Sequence, residues 1–197
     1  MIFGTHNSGT GGELLTWLKP FAWVINPTSK CQDKSIVQQL EDGVRLFNLQ
    51  VAYVGGKWRF SHGLALYKED VYEMIALMKS FATKDNPVYF NLYLDKSFWA
   101  KQDIEEFEFL IHCISQELCD DKLAMLYAWV EGIETNDKKV FPIKWSEKYW
   151  TLDWGKMYGK TWKDKLPLPK RHARKYNAKY KSECKKKYLM LDYYELG

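Results

Sequence analysis

The sequence predicts an α/β fold, in the form of a compact or incomplete TIM (β/α) barrel. Two patterns support this prediction: short apolar runs typical of strands alternate with amphipathic stretches typical of helices, and polar segments directly follow several of the predicted strands. The chain has 197 residues, which is near the lower limit for a complete eight-stranded barrel. We therefore expect a single domain over residues 1–197.

The predicted strands are short apolar runs bounded by residues that favour turns. They cover residues 1–3, 44–54, 57–61, 88–94, 123–130 and 188–194. The predicted helices have apolar residues on one face. Two of them cover residues 70–82 and 102–118, and the end of another lies at 39–43. Residues 134–170, which are rich in Trp, Lys and Gly, give no single pattern.

The net charge of +4 is distributed unevenly along the chain. Between Lys156 and Lys187 there are thirteen Lys and Arg but only two acidic residues, and most of the basic residues lie in KRHARKYNAKYKSECKKK. Such a run is typical of a solvated helix face or of a patch that attracts phosphate. Charge alone does not distinguish nucleic acid from anionic lipid headgroups as its partner.

Cysteine spacing and hydropathy exclude several classes of protein. The four cysteines show neither a CxxC pair nor zinc-ligand spacing, so we expect buried free thiols. No apolar run reaches membrane-spanning length, and the opening MIFGTHNSG does not have the pattern of a signal peptide. We therefore expect a protein that is cytoplasmic or peripheral at a membrane surface.

Two histidines follow predicted strands and are candidates for acid-base chemistry. His6 lies in the loop GTHNSGTG after the first strand, and His62 lies in FSHG at the end of a later strand. Because the ends of parallel barrel strands meet on one face, we expect the two side chains to lie close together. Two histidines that face one substrate can act as base and acid near neutral pH.

These two motifs, together with GVRLFNLQV at 43–51 and YLMLDYYE at 188–195, resemble the X-box region of the phosphatidylinositol-specific phospholipases C. In that family a G-T-H-[DN]-S loop precedes a G-x-R-x-[FL]-[DE]-[LI] strand, and a later strand ends in H-G. The resemblance covers most of the chain in outline and is most specific in GTHNSGT. It implies a barrel of the PLC-like phosphodiesterase type and the cleavage of phosphatidylinositol-type lipids.

The resemblance also implies roles for individual residues. His6 would take the proton from the inositol 2-hydroxyl, and His62 would protonate the leaving diacylglycerol oxygen. Asp192 would hold the His6 imidazole and stabilise its charged form. Arg45 matches a strand arginine of the family whose role is structural. The immediate product would be a cyclic inositol phosphate.

The sequence departs from the family at the positions that stabilise charge during phosphoryl transfer. Bacterial members place an arginine two residues after a strand aspartate, and here these positions are Asn48 and Gln50. Calcium-using members instead place acidic ligands on that strand and an Asn after the first histidine, which Asn7 matches. Tyr93 stands where either class has Lys or Glu, and Asp95 lies two residues further on.

These departures leave the site residues with more than one role. A Ca²⁺ site would use Asn7, Asn48, Gln50 and Asp95, and it would be weak because calcium affinity follows the charge of the ligands. The candidate substrate-binding or structural residues are Asn7, Arg45, Asn48, Gln50 and Tyr93.

Three explanations for the missing charge remain open. A lysine of the basic segment could substitute for the arginine, a metal could bind through Asn7, Asp95 and substrate oxygens, or the protein could be a catalytically impaired protein that binds phosphoinositides or inositol phosphates. The segment from Lys170 to Lys187 would then bind an anionic membrane surface; nucleic acid is not expected, because nothing in the histidine motifs supports it. A different phosphodiester substrate, such as a lysophospholipid or a glycerophosphodiester, is disfavoured. The enzymes that cleave such substrates begin with a different His-Arg loop, where this sequence has GTHNSG.

Overall fold

The computed structural model describes residues 2–94, 104–119, 123–129, 168–183 and 188–196. The strands within these ranges are β1 (Ile2–Thr5), β2 (Leu46–Val54), β3 (Lys57–His62), β4 (Ala65–Asp70), β5 (Val88–Leu94), β6 (Ala124–Trp129) and β7 (Tyr188–Leu191). The α-helices are α1 (Ala22–Ser29), α2 (Ile36–Glu41), α3 (Val71–Ser80), α4 (Ile104–Leu118) and α5 (Pro169–Glu183). Two 3-10 helices, η1 (Ser8–Gly11) and η2 (Thr16–Phe21), follow β1.

The sheet has a parallel part and an antiparallel part. Strands β7, β1, β2, β5 and β6 pair in that order, and every one of these pairings is parallel. Strands β2, β3 and β4 pair in an antiparallel manner. The sheet curls as part of a barrel, so the predicted α/β fold with an incomplete barrel is confirmed.

One edge of β2 is shared by two neighbours. Its first residues pair with β1, where Phe47 is opposite Thr5, while its last residues pair with β3, where Val51 is opposite Phe60. Strand β5 pairs with the other edge of β2, where Leu94 is opposite Val51. The β3–β4 hairpin therefore extends the sheet beyond the carboxyl end of β1.

The β2–β3 connection is a two-residue turn that returns the chain toward β1. Gly55 and Gly56 have φ angles of 62° and 74°, which is the backbone of a type I′ hairpin turn. His62 is the last residue of β3. The parallel-strand argument for His62 was therefore wrong: the histidine is brought back toward the end of β1 by an antiparallel hairpin.

Strand β2 separates the apolar core from the polar face of the sheet. Phe47, Leu49 and Val51 are fully buried in the hydrophobic core, which also contains apolar side chains of α3 and α4. Because side chains alternate along a strand, Asn48 and Gln50 lie on the opposite face. That second face carries the polar groups of the candidate site.

The basic segment forms α5, of which residues 169–183 are described. His172, Ala173 and Asn177 are buried, whereas Arg171 and Arg174 are exposed. The helix contacts α1 and β7. No helix among the described residues is both long enough and apolar enough to cross a membrane.

Three predictions about element bounds need correction. Strand β1 continues through Gly4 to Thr5, and β7 ends at Leu191, before Asp192. The last strand is shorter than predicted because Tyr193 adopts a positive φ of 41°, which ends the extended backbone. Strand β4 was not predicted, because its apolar start at Ala65 is followed by charged residues without alternation.

Candidate active site

His6 is fixed at the carboxyl end of β1 by its backbone. Its N–H donates to the Leu191 carbonyl of β7 at 3.0 Å. The next residue, Asn7, turns the chain with φ 45° and ψ 51°, and its N–H donates to Asn48 Oδ1 at 3.1 Å. The loop after β1 is thus tied to both neighbouring strands.

The glycines of the GTHNSGTG loop allow close packing against the hairpin and the chain before α2. A Cβ on Gly9 would lie 2.3 Å from the Phe60 side chain, and one on Gly11 would lie 1.7 Å from the Lys34 carbonyl oxygen. Thr10 Oγ1 completes the loop by accepting hydrogen bonds from the N–H groups of the segment after α1. The motif therefore positions His6 through packing as well as through its backbone.

His6 and Asp192 form the central contact of the site. His6 Nδ1 lies 2.8 Å from Asp192 Oδ1, and Asp192 is only 2% exposed. A carboxylate can only accept, so Nδ1 carries the hydrogen and Nε2 is left as the acceptor in the neutral ring. This is the arrangement that a general base requires.

Two buried amides hold Asp192 and His6 in place from behind. Asn177 of α5 donates through Nδ2 to the carbonyls of Asp192 and Tyr193, at 2.9 and 3.0 Å. Gln32 donates through Nε2 to the carbonyls of His6 and Leu191, at 2.8 and 2.9 Å. The basic helix thus has a buried face that supports the site.

His62 is oriented by the end of α1. Its Nδ1 donates to the Ser29 carbonyl at 2.7 Å. A carbonyl only accepts, so this bond assigns the hydrogen of the neutral ring to Nδ1 and makes Nε2 the acceptor nitrogen of that ring. The protonated ring would present Nε2–H, which is the form that a general acid requires.

Cys31 lies between the two histidines. Its Sγ is 3.7 Å from His62 Nδ1 and 3.7 Å from Asn7 Nδ2, and its side chain is fully buried. Burial raises the pKa of this thiol well above its usual value, and the charge of Asp192 raises it further. His6, His62 and Asp192 are therefore connected through one buried group, although they are far apart in the sequence.

Two residues of the site have strained backbones. Among the described residues, Asn7 and Tyr193 are the non-glycine residues with positive φ. Each directly follows a proposed catalytic residue, His6 in one case and Asp192 in the other. Hydrogen bonds hold Tyr193 in this conformation, since its N–H donates to the Cys31 carbonyl at 2.7 Å. Strain that is held in this way is typical of functional sites.

Neutral amides occupy the positions where the family has charged groups. Asn48 and Gln50 of β2 are in register with Asn91 and Tyr93 of β5. Asn48 and Asn91 are buried, while Gln50 and Tyr93 are half-buried. The polar face next to His6 is therefore a surface of amide and phenol groups.

The described residues do not fit a Ca²⁺ site. Asn48 Oδ1 already accepts the Asn7 N–H, and the Asn7 amide presents its Nδ2 donor to Cys31 and to the His6 ring at 3.4 to 3.5 Å. Asp95, the proposed carboxylate ligand, lies outside the described residues. Calcium prefers charged oxygen ligands, so we derive no step through this ion.

Arg45 lies at the other end of β2 and makes structural contacts. Its Nη1 donates to the carbonyls of Leu40 and Val44, at 2.9 and 2.8 Å. The Leu40 carbonyl belongs to α2, so the guanidinium holds the end of this helix against the start of β2.

Lys170 is the described residue of the basic segment that comes near the site. Its ammonium pairs with Asp33 and lies 5.1 Å from the centre of the Tyr193 ring. Tyr193 directly follows Asp192 in the sequence, and the positive charge of Lys170 is paired with Asp33.

Sequence reasoning missed several residues of the site: Ser29, Cys31, Gln32 and Asn177. Asn177 had a usable signal, because it falls on the less basic face of the helical pattern in KRHARKYNAKY together with His172 and Ala173. Ser29, Cys31 and Gln32 gave no signal, because their contacts depend on how the segment after α1 passes beneath the β1 loop.

Comparisons with known proteins identify the fold. No protein-family model matches this sequence, and no curated protein does so either. The phosphatidylinositol-specific phospholipase C from Listeria monocytogenes has a TM-score of 0.61 and 16% sequence identity, over 98% of this chain and 87% of that one.

Two structures of the Staphylococcus aureus enzyme are similar to the same extent. A double mutant has a TM-score of 0.59 and 15% identity, over 98% of this chain and 84% of that one. A structure concerned with membrane binding has a TM-score of 0.60 and 14% identity, over 98% of this chain and 85% of that one. The chain therefore has the PLC-like phosphodiesterase fold of the phosphatidylinositol-specific phospholipases C.

Proposed function

We propose that this protein is a phosphodiesterase that cleaves phosphatidylinositol-type lipids by acid-base chemistry between two histidines. The contact that carries the proposal is the 2.8 Å hydrogen bond between His6 Nδ1 and the buried Asp192 carboxylate. It lies at the end of β1, in the fold shared with the phosphatidylinositol-specific phospholipases C. His62, fixed by Ser29, supplies the second titratable ring.

The proposed reaction is a cyclisation. His6 Nε2 takes the proton of the inositol 2-hydroxyl, and that oxygen attacks phosphorus. The bond between phosphorus and the diacylglycerol oxygen breaks, and His62 Nε2–H gives its proton to the leaving oxygen. Asp192 stabilises the protonated His6 ring during this step. The products are a cyclic inositol phosphate and diacylglycerol.

The charge of the phosphoryl oxygens needs a positive partner. Our candidate for this role is Lys170, whose ammonium lies 5.1 Å from the centre of the Tyr193 ring and pairs with Asp33. It stands in for the arginine that the family places at the position of Gln50. Loss of one such donor typically costs about 10²–10³ in rate, so a less direct cation would leave a slower enzyme.

The substrate would be reached on an anionic membrane. The segment from η2 to α1 exposes large apolar side chains, with Trp17 at 53%, Phe21 at 56% and Trp23 at 80% exposure. An open groove of about 500 Å³ adjoins α1, and four basic residues of α5 line it together with Pro27 and Leu168. Aromatic rings beside basic groups suit the interface of an anionic bilayer.

The proposed membrane-binding segment and the proposed general acid His62 are linked through α1. Helix α1 carries Trp23 and ends at Ser29, whose carbonyl holds His62. A lipid bound at the aromatic face would thus lie beside the residue that protonates its leaving oxygen. One of the similar S. aureus structures concerns modulation of that enzyme's membrane binding.

The experiment is turnover of phosphatidylinositol vesicles, followed by phosphorus NMR for inositol 1,2-cyclic phosphate. We expect release by the wild-type protein, and a loss of about 10²–10⁴ in rate for His6→Ala and for His62→Ala. The matched control is His112→Ala, because His112 is exposed on α4. No release with or without added calcium would contradict the proposal.

A second function, binding without turnover, is favoured by the neutral Asn48, Gln50 and Tyr93 on the polar face of the site. A catalytically impaired protein of this kind would bind phosphoinositide vesicles or inositol phosphates and release no product. Its binding would be weakened more by Lys170→Gln than by His6→Ala, whereas turnover would depend on His6. Sedimentation with vesicles, measured on the same samples as product release, separates the two functions.

A further inference from the structure

The proposed reaction leaves one buried group of the site without a role. The Cys31 thiol is fully buried, and its sulfur, a ring nitrogen of His6 and a carboxylate oxygen of Asp192 all lie within 4.8 Å of one another. A soft sulfur, an imidazole nitrogen and a carboxylate oxygen form a set of ligands that zinc accepts. Neither the acid nor the base step uses the thiol.

An independent observation also indicates a missing cation at this point. Asp192 Oδ1 is bonded to His6, but Asp192 Oδ2 is buried and has no hydrogen-bond partner among the residues that the structure describes. A buried carboxylate oxygen without a partner is costly and requires an explanation.

We propose that His6, Cys31 and Asp192 form a binding site for a thiophilic divalent cation such as Zn²⁺. The cation takes one ligand atom from each residue and keeps its fourth position for water or another ligand, as in zinc sites with three protein ligands. Cys31 loses its S–H proton to solvent when the sulfur binds. Zinc-ligand bonds of about 2.0–2.3 Å put ligand atoms roughly 3.5 Å apart. The three ligand atoms lie within 4.8 Å of one another, so small side-chain shifts would bring them to this spacing.

His62 is outside this ligand set. Its Nδ1 is 3.7 Å from Cys31 Sγ, but that nitrogen donates its hydrogen to Ser29. Sulfur also distinguishes the site from a calcium site, since hard cations prefer oxygen ligands.

Occupancy of the site would stop acid-base chemistry. A cation bound to His6 and Asp192 takes the imidazole and the carboxylate away from proton transfer. The site would therefore be inhibitory, and its existence does not depend on the proposed phosphodiesterase function, because cation binding can be measured without any turnover.

The test uses Co²⁺, which replaces Zn²⁺ and gives a sulfur-to-metal absorption band when a thiolate binds it. The protein carries Cys113→Ser, Cys119→Ser and Cys184→Ser, so that Cys31 is its single thiol. We expect one equivalent of Co²⁺ to produce the band and Zn²⁺ to remove it. Adding Cys31→Ser should abolish the band and weaken Zn²⁺ binding by at least the ~10–100-fold that loss of an outer-shell partner causes.

Two further variants keep the test decisive if Cys31→Ser does not fold, which circular dichroism would show. Asp192→Asn and His6→Ala should each weaken Zn²⁺ binding to the single-thiol protein, while His112→Ala should leave it unchanged. The proposal is overturned if the single-thiol protein shows no band, or if its Zn²⁺ affinity is the same with and without Cys31 or with and without both of the other ligands.

Discussion

At the scale of single residues, the site is defined by which atom of each histidine is already occupied. His6 Nδ1 is bound to Asp192, and His62 Nδ1 is bound to the Ser29 carbonyl. In both rings this short contact is made by Nδ1, and one partner is an anion while the other is a neutral dipole. The proposed base and the proposed acid therefore differ in the partner of Nδ1, a carboxylate for His6 and a carbonyl for His62.

Gln50→Arg tests whether the missing charge limits the rate. Gln50 is half-buried on the polar face of β2, opposite Tyr93. An arginine there would supply the donor that stabilises the phosphoryl oxygens, and we expect turnover to rise by about 10²–10³. The control is Gln38→Arg, an exposed position on α2. Equal turnover by the two variants would show that another group already supplies this charge.

At the scale of elements, α1 and α5 each connect a surface property to the catalytic cluster. Helix α1 exposes Trp23 and ends at the Ser29 carbonyl that holds His62. Helix α5 exposes Arg174 and uses its buried Asn177 to hold the backbone after β7. Each helix thus has an outer face with exposed aromatic or basic side chains and an inner face that orients a site residue.

Trp23→Ala and Phe21→Ala test the outer face of the η2–α1 segment. Each removes an exposed ring that would be buried in the bilayer interface, and we expect vesicle partitioning to fall by about tenfold per substitution. Phe109→Ala is the matched control, because Phe109 is 64% exposed on α4. Binding to anionic vesicles should also weaken with added salt, as basic groups are screened. Sedimentation with vesicles measures both effects.

Asn177→Ala tests the inner face of α5. It removes the Asn177 donor from the carbonyls of Asp192 and Tyr193, of which the Tyr193 carbonyl keeps the Leu196 N–H. We expect a loss of about 1–3 kcal/mol in unfolding free energy. Turnover should fall as well, because Asp192 loses its support. The exposed Lys179→Ala on the same helix is the control. Urea unfolding gives the first quantity, and an unchanged midpoint for Asn177→Ala would contradict the assignment.

The elements differ in how well the sequence predicts them. Strands β2 and β5 were predicted because their apolar runs are long and are bounded by turn residues, Gly55 after β2 and Asn86-Pro87 before β5. Helix α1 was not predicted, because Pro20 and Pro27 interrupt the helical pattern and Ile25 is its one buried large apolar residue. The local sequence pattern is enough to predict β2 and β5. Helix α1 instead forms because it packs against the rest of the molecule.

Only those site residues that lie in recognisable sequence motifs were predicted from the sequence. His6, His62 and Asp192 lie in segments that resemble a known family, and the structure brings them together. Cys31 and Gln32 have no pattern of their own, because their partners are backbone and side-chain atoms of the distant β1 loop and β7. Contacts between segments that are far apart in the sequence require the fold to be known.

At the scale of the whole molecule, the parts of the chain before β2 and after β7 are joined by side-chain contacts. Asp42, at the end of α2, accepts hydrogen bonds from Lys34 and from the hydroxyl of Tyr194. The contacts with Lys34 and Tyr194 lower the pKa of Asp42 from its usual value of 3.8. This acid therefore stabilises the folded protein when it is ionised.

Asp42→Asn tests this connection through its dependence on pH. Because the folded pKa is lowered, the contribution is present above the usual value of 3.8 and is lost as the pH falls through the folded pKa. We expect Asp42→Asn to lower the urea midpoint at pH 7, and the difference from wild type to shrink below pH 3.8. Asp85→Asn, in an exposed turn, controls for the change in net charge. A difference independent of pH would contradict the assignment.

The shared edge of β2 also determines where the chain tolerates insertions and deletions. Val51 is opposite Phe60, and this pairing fixes the position of Phe60 on the sheet. His62 lies two residues after Phe60, and its position then depends on this spacing. Residues added at the turn itself would lengthen only the tip of the hairpin. One residue added between Phe60 and His62 would rotate the imidazole to the other face of the sheet. The number of residues between Phe60 and His62 must therefore stay constant. Natural or designed variants can change length at the tip of the hairpin but not along β3.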